Sequence, residues 1–295
     1  MSRPLATRVL FDEPGPRGRF RIRVLSVLIG VVVIAVLAWS YLSLTASGEL
    51  EWRKWKPFVQ QWAVWFMLDG LRGTLLVTVV AAVASFPLGT LLAVGRAGGQ
   101  RPVRWLCTAY IEIFRSVPTL LLVYVFLFAL PGLGLNLSIF GKLVVPIIMI
   151  NAAVIAEIVR AGIGALDTGQ REAGSAIGLT RGQTMRLVVL PQAIRLVVPT
   201  LVTQLVAIVK DSTLGYVVSY PELMKQANTL ANNTKLLLQS FVVVSLVYVV
   251  INFALTRLAV ALESRIGRAA PGAGPAALGE EIGEQVERPV ARAVR

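Results

Sequence analysis

Long stretches of this chain carry no charged residue, and short polar clusters separate them. Four such runs, 24–48, 73–95, 116–141 and 236–256, are long enough to cross a bilayer as helices, because about 20 apolar residues span roughly 30 Å of hydrocarbon. Two shorter runs, 143–156 and 196–209, end in charged pairs. They read as helices whose ends meet protein or water rather than lipid. The pattern predicts an all-α, polytopic membrane protein with about six transmembrane helices. The first run has few polar groups and reads as an anchor set apart from the rest. The expected organisation is a basic tail over 1–23 and an extra N-terminal transmembrane helix with an external amphipathic segment over 24–70. A membrane core follows over 71–260, then a disordered tail over 261–295, rich in Ala, Gly, Pro, Glu and Arg. A cleaved signal peptide is not expected, since the first run is too long and lacks a small-residue cleavage site.

Composition supports the membrane reading: 56% of the 295 residues are hydrophobic and only 15% charged, outside the range of soluble domains. The net charge of +13 invites a nucleic-acid reading, but its placement argues against one. Arg3, Arg8, Arg17, Arg19, Arg21 and Arg23 precede the first run, and Arg96, Arg101 and Arg104 follow the second. Arg171, Arg181, Arg186 and Arg195 lie in or beside the long polar segment between the two shorter runs. With six spans and the N-terminus inside, all three groups fall on the cytoplasmic face, as the positive-inside rule asks, and both termini are cytoplasmic. Arg53, Lys54 and Lys56 would then lie outside, offset by Glu49, Glu51 and Asp69. Trp52, Trp55, Trp62 and Trp65 suit an interfacial segment over 45–69. No basic patch is interleaved with exposed aromatics, so no nucleic-acid partner is expected. The single cysteine, Cys107, rules out an intrachain disulfide or a cysteine metal cluster and reads as a packing residue. Without histidine, a His proton relay, a His metal ligand and a Ser-His triad are excluded. No Gly-rich loop followed by Gly-Lys-Ser/Thr is present, so the chain is not itself a phosphate-cradling ATPase.

The polar segment between the two shorter runs has the most specific spacing in the chain. Glu172-Ala173-Gly174 is followed after three residues by Gly178, and after nine more by Val188, one residue and Leu190-Pro191. A glycine permits a sharp turn, and a proline can open the next helix where a missing N–H is harmless. Glu172 would sit at a helix start, where negative charge is favourable.

Two further groups place charge at the ends of apolar runs. Glu112 and Arg115, and again Glu157 and Arg160, stand at i, i+3, neighbours on one helical face. The first pair is expected to begin the third span and the second to close the fourth. Charges there face protein or an aqueous cavity, or else snorkel to the interface; both readings stand. At Lys210-Asp211-Ser212-Thr213 the helical pattern fails before Leu214-Gly215, which predicts a helix break. Broken backbone at membrane depth lines a cavity or is buried in protein. Glu157, Arg160, Lys210, Asp211, Ser212 and Thr213 are therefore candidates for a substrate pathway. The other reading of the break is a plain helix-to-loop exit on the outer face.

Together with Gly73-Thr74-Leu75-Leu76-Val77-Thr78, Glu112-Ile-Phe-Arg-Ser-Val-Pro118, Ala156-Glu-Ile-Val-Arg-Ala-Gly-Ile163 and Gly169-Gln-Arg-Glu-Ala173, these segments resemble the permease subunits of ABC importers for polar amino acids. The family is that of histidine, glutamine and glutamate permeases. The resemblance covers roughly residues 70–260, and the run 210–223 looks most like actinobacterial glutamate permease subunits. It implies a five-helix permease domain over 71–260, to which 24–44 adds a helix. It implies a cytoplasmic coupling loop that contacts a separate ATPase through Glu172, Ala173, Gly174, Gly178, Leu190 and Pro191. The loop departs from the family pattern at Gly174, where Ala is usual, and at Val188, where Ile is usual. Both replacements keep the residue small or branched.

The resemblance further implies no enzyme activity and no cofactor in this chain, with ATP and Mg²⁺ held by the partner ATPase. The other implied partners are a second permease subunit, identical or paralogous, an extracytoplasmic solute-binding protein, the amino acid itself and the lipid bilayer of a bacterial cell membrane. The rival class is a secondary transporter driven by an ion gradient. It accounts for the spans but not for the spacing around Glu172.

Overall fold

In a computed structural model, residues 15–268 are described and all their regular structure is helical. The chain falls into two units divided between Gln60 and Gln61. The first holds α1 (Pro16–Ala46), α2 (Trp52–Trp55) and a 3₁₀ turn at Lys56–Val59. The apolar stretch of α1 buries none of its residues, so its all-round apolar surface suits lipid. Helix α1 begins at Pro16 rather than after a tail ending at 23. Pro pre-sets the first helical φ, and the arginine stems of 17–23 continue the helix while their heads reach water. Positions 1–14 of the expected basic tail lie outside the described residues. Past α1 the chain turns at Gly48, whose φ is +65°. Glu49 then accepts from Lys54 Nζ at 2.7 Å, and its carbonyl accepts from Trp55 Nε1 at 3.0 Å.

The second unit opens with α3 (Gln61–Gly98), a 38-residue helix. It starts inside the segment expected to lie along the interface, because nothing between 61 and 73 breaks the helix: Asp69, Gly70 and Arg72 are absorbed within it. Next come α4 (Arg101–Ser116), α5 (Thr119–Tyr124), a π turn at Val125–Ala129 and α6 (Leu130–Gly132). The long helices α7 (Ile139–Gly164), α10 (Leu190–Asp211) and α12 (Leu237–Arg268) complete the bundle. Between them lie the short helices α8 (Gly169–Ala176), α9 (Arg181–Thr184) and α11 (Leu223–Thr234). Among the described residues five helices are long and apolar enough to cross a membrane, or six if the bent pair is one span.

That pair corrects one expectation. The run 116–141 is not a straight third span: α4 meets the helix over Thr119–Gly132 at 98°. Pro118 is the cause, since it restricts Val117 to an extended conformation (φ −91°, ψ 127°). Glu112 and Arg115 therefore lie on the helix before the bend and not at the start of the straight run that follows it. Likewise, residues 261–268, expected as tail, extend α12, because Ala, Leu, Glu and Arg favour helix. The rest of that expected tail, 269–295, lies outside the described residues.

Small residues let the helices approach. A Cβ on Gly89 of α3 would stand 2.7 Å from Ile155 of α7, and one on Gly162 of α7 would stand 2.6 Å from Val197 of α10. Around these contacts Ala93, Ile111, Ile155, Val159, Ala193 and Val197 form one core cluster. Val77, Leu143, Ile147 and Ile208 form a second, and Leu223, Ala227 and Val244 a third beside α11. Outward, Leu246, Val249, Val250 and Phe253 of α12 are exposed, as a lipid-facing surface requires.

Candidate functional site

The segment between α7 and α10 folds into a stub whose every turn has a local cause. Asp167 Oδ1 accepts from Gly169 N at 2.7 Å and starts α8. At its other end Leu179 N donates to Gly174 O at 3.1 Å and Gly178 N to Ser175 O at 3.0 Å. This paired closure needs a left-handed residue at its centre, and Gly178 supplies it with φ +80°. Gly174, where Ala was the expected type, is buried, and a Cβ there would stand 2.6 Å from Thr184 Cγ2. The α8–α9 corner thus closes on the missing methyl.

Thr180 and Gln183 then form a reciprocal capping box, with Gln183 N donating to Thr180 Oγ1 at 3.3 Å and Thr180 N to Gln183 Oε1 at 2.9 Å. This corrects the role expected of Pro191. The helical run Arg181–Tyr216 is opened by Thr180, not by Pro191. Pro191 instead follows a π turn at Met185–Val189, a wider turn that accommodates its missing N–H. Glu172, Ala173 and Pro191 are exposed, Leu190 is half-buried against the first core cluster, and Ile177 is 76% exposed. The six residues of the predicted loop therefore divide: Glu172 and Ala173 form surface, Gly174 and Gly178 form the frame, and Leu190 and Pro191 belong to the next helix.

The two Glu–Arg pairs meet in one cluster. Glu157 of α7 takes Arg96 through Oε1, Arg160 through Oε2 at 2.8 Å, and Arg115 of α4 at 3.8 Å. Glu112 takes the other nitrogen of Arg96 at 3.2 Å. Arg96 was not among the predicted site residues. Its position after an apolar run read only as a topology signal, yet it is the residue that joins the two acids. Arg115 passes over its i−3 neighbour Glu112 in favour of Glu157 on another helix.

At the other candidate segment the predicted break is present: α10 ends at Asp211 and a 3₁₀ turn follows at Ser212–Tyr216. The buried Asn151 of α7 donates to Asp211 Oδ2 at 2.9 Å and accepts from Gln204 Nε2 at 2.6 Å. Ser212 donates to Val209 O at 2.6 Å and Thr213 to Lys210 O at 2.7 Å, so both hydroxyls are held by carbonyls of the preceding turn. Lys210 is exposed. Asn151 and Glu157 stand six residues apart on α7, about 9 Å along its axis, so Asp211 and the Glu157 cluster are separate groups.

Sequence reading missed a third group. Glu222 is fully buried at the start of α11, where its carboxylate accepts from Met224 N and Lys225 N, each at 2.7 Å, and from Tyr248 Oη at 3.0 Å. Thr74 Oγ1 accepts from Leu223 N at 3.1 Å alongside. Burial pushes the Glu222 carboxyl up to about 7, against the lowering effect of its hydrogen bonds. The available signal was Pro221-Glu222 ahead of an amphipathic run, a helix-start pattern.

Residues 85–268 match the family described as binding-protein-dependent transport system inner membrane component. A glutamate transport system permease protein of Corynebacterium glutamicum is 38% identical over 233 residues, covering 77% of this chain and 85% of the relative. A glutamate/aspartate import permease protein of Escherichia coli O157:H7 is 34% identical over 225 residues, 74% of this chain and 98% of its own. Among solved structures, an amino acid ABC transporter crystallised with histidines superposes with a TM-score of 0.64 at 28% identity, over 68% of this chain and 94% of that one.

Proposed function

The chain belongs to the family of binding-protein-dependent transport system inner membrane components, and from that membership we propose that it is the membrane subunit of an ATP-driven importer for a polar amino acid, glutamate or glutamine. The observation that carries the proposal is the stub at α8. An eight-residue helix is fixed at Gly174 and Gly178 between two membrane spans, and it presents Glu172, Ala173 and Ile177 outward. Such a lever, rigid within and apolar at its tip, suits docking into a groove of a separate ATPase on the cytoplasmic face. ATP and Mg²⁺ reside on that partner. A second permease subunit, identical or paralogous, completes the pathway, and an extracytoplasmic solute-binding protein delivers the amino acid. ATP-driven closure of the ATPase pair moves α8, and α7 and α10, continuous with the stub, carry the movement into the membrane.

Glutamate and glutamine are favoured over other polar amino acids because relatives named for them are 38% and 40% identical, against 33% for one named for arginine. Along the pathway, Lys210 offers an exposed cation to a carboxylate, and the Glu157 cluster offers both signs of charge. The test is uptake of labelled glutamate by the complex reassembled with its ATPase and binding protein, with glutamine, aspartate and arginine as competitors. Glutamate uptake displaced by aspartate before arginine is expected. Uptake displaced by arginine first would move the substrate to the cationic class.

A further inference from the structure

A cavity of about 940 Å³ lies where the end of α3, the start of α4 and the α8–α9 corner meet, at the upper end of the size of small-molecule sites. Its rim carries Arg104, Arg171, Arg181 and Arg186, and no acidic residue lines it. Among the described residues none of the four forms an ion pair. Arg171 gives one hydrogen bond, to Ile163 O at 3.3 Å. Thr184, 5% exposed, lines the same cavity, and its hydroxyl has no hydrogen-bond partner. The contrast with the Glu157 cluster is direct: there three arginines are balanced by two carboxylates, whereas here four arginines face a cavity without one.

The other wall is apolar. Leu91 and Val94 of α3 line it, and they continue an exposed helical face that runs through Leu76, Val79 and Val83 at spacings of three, four and eight residues. That face has the character of a lipid-contacting surface, so the cavity joins a lipid-facing stripe to a basic rim. A free anion would need only the rim. An amphiphile uses both, with its phosphate on the guanidinium groups and an acyl chain along the α3 stripe.

We propose that this cavity is a binding site for an anionic phospholipid, the headgroup phosphate held by Arg104, Arg171, Arg181 and Arg186. The site places a lipid against the frame of the α8 stub, since Thr184 contacts both the cavity and Gly174. The inference rests on the membrane assignment but not on the substrate or on ATP coupling, because its test measures lipid alone.

The test is native mass spectrometry of the full chain purified in neutral detergent and exposed to equimolar phosphatidylglycerol and phosphatidylcholine. Retention of phosphatidylglycerol is expected to exceed that of phosphatidylcholine about tenfold, and R181Q/R186Q should cut the preference roughly fivefold or more. The charge-keeping R181K/R186K should retain most of it, and R17Q/R19Q, which alters arginines on α1, should leave it unchanged. Three results would overturn the proposal. One is an undiminished preference in R104Q/R171Q/R181Q/R186Q. The second is displacement of the lipid by millimolar inorganic phosphate, which would mark a free-anion site. The third is an equal loss of preference in R17Q/R19Q, which would mark a general attraction of anionic lipid to any arginine of the chain rather than a site.

Discussion

Arg96, near the end of α3, and Glu157, near the end of α7, form an ion pair across the two helices, 61 residues apart in the chain. Through Arg96 the pair also holds Glu112 of α4, so a single guanidinium fixes three helices on one side of the Pro118 bend.

Removing the carboxylate leaves Arg96, Arg115 and Arg160 to repel one another in a half-buried site. Glu157→Gln is expected to lower the stability of the purified chain by about 1–3 kcal/mol, less than for a fully buried pair because the arginines are partly solvated. Lys210 is exposed and in no ion pair among the described residues. Lys210→Met should leave stability within about 0.5 kcal/mol while lowering uptake per assembled complex. Thermal melts and uptake normalised to complex separate the two effects. Unchanged uptake in Lys210→Met would take that residue off the pathway.

Restoring the family's usual residue at 174 should harm this chain. Gly174→Ala drives a methyl into Thr184 Cγ2, an overpacking expected to cost about 1–3 kcal/mol. Thr184→Ala deletes both that methyl and Oγ1, which the new Cβ would meet at 2.9 Å, so Gly174→Ala/Thr184→Ala should regain most of the loss. A double-mutant cycle of melting temperatures reads the coupling directly. Additive effects would show that the two residues do not share the contact.

Gly178 tests the turn itself. Proline cannot reach φ +80°, being locked near −65°, so Gly178→Pro must dismantle the end of α8. Gly178→Ala can adopt the conformation at a cost of roughly 1–2 kcal/mol, with nothing within 4 Å of the added methyl. Membrane abundance should stay near normal in both. ATPase co-purification should be lost in the proline variant and largely kept in the alanine variant. Equal co-purification in the two would dissociate the α8 frame from docking.

Stability should depend on pH through Glu222. Its folded carboxyl titrates near 7 against about 4.5 in the unfolded chain, so between those values the folded state holds a proton that the unfolded state has released. Stability therefore falls as pH rises from about 4.5 through 7. Glu222→Gln keeps one of the two backbone acceptor contacts and cannot ionise. It should flatten that slope while lowering the baseline. A variant profile as steep as that of the parent would assign the dependence to another group.

The spans were legible because membrane helices must be apolar over a fixed length, and the α8 stub because its turn demands glycine at 178 and its spacing is fixed. The break after Asp211 was legible as a loss of period. Tertiary pairing was not. Arg96 was hidden because one arginine after an apolar run serves topology and ion pairing equally well, and Glu222 because a buried acid looks like any loop carboxylate until a tyrosine from another helix meets it. The bend at Pro118 was missed because absence of charge reports length in the membrane and not direction. Pro191 misled for a related reason: a proline after a polar loop signals a helix start, but here a π turn lets the helix run through it.

The most direct test of the account is glutamate uptake into vesicles containing the reassembled complex, with ATP enclosed and no ion gradient, set beside vesicles with an imposed ion gradient and no ATP. Uptake only with ATP, accompanied by glutamate-stimulated hydrolysis and abolished together with it in Gly178→Pro, is the predicted result. Uptake driven by the gradient without ATP, and unaffected by Gly178→Pro, would contradict it.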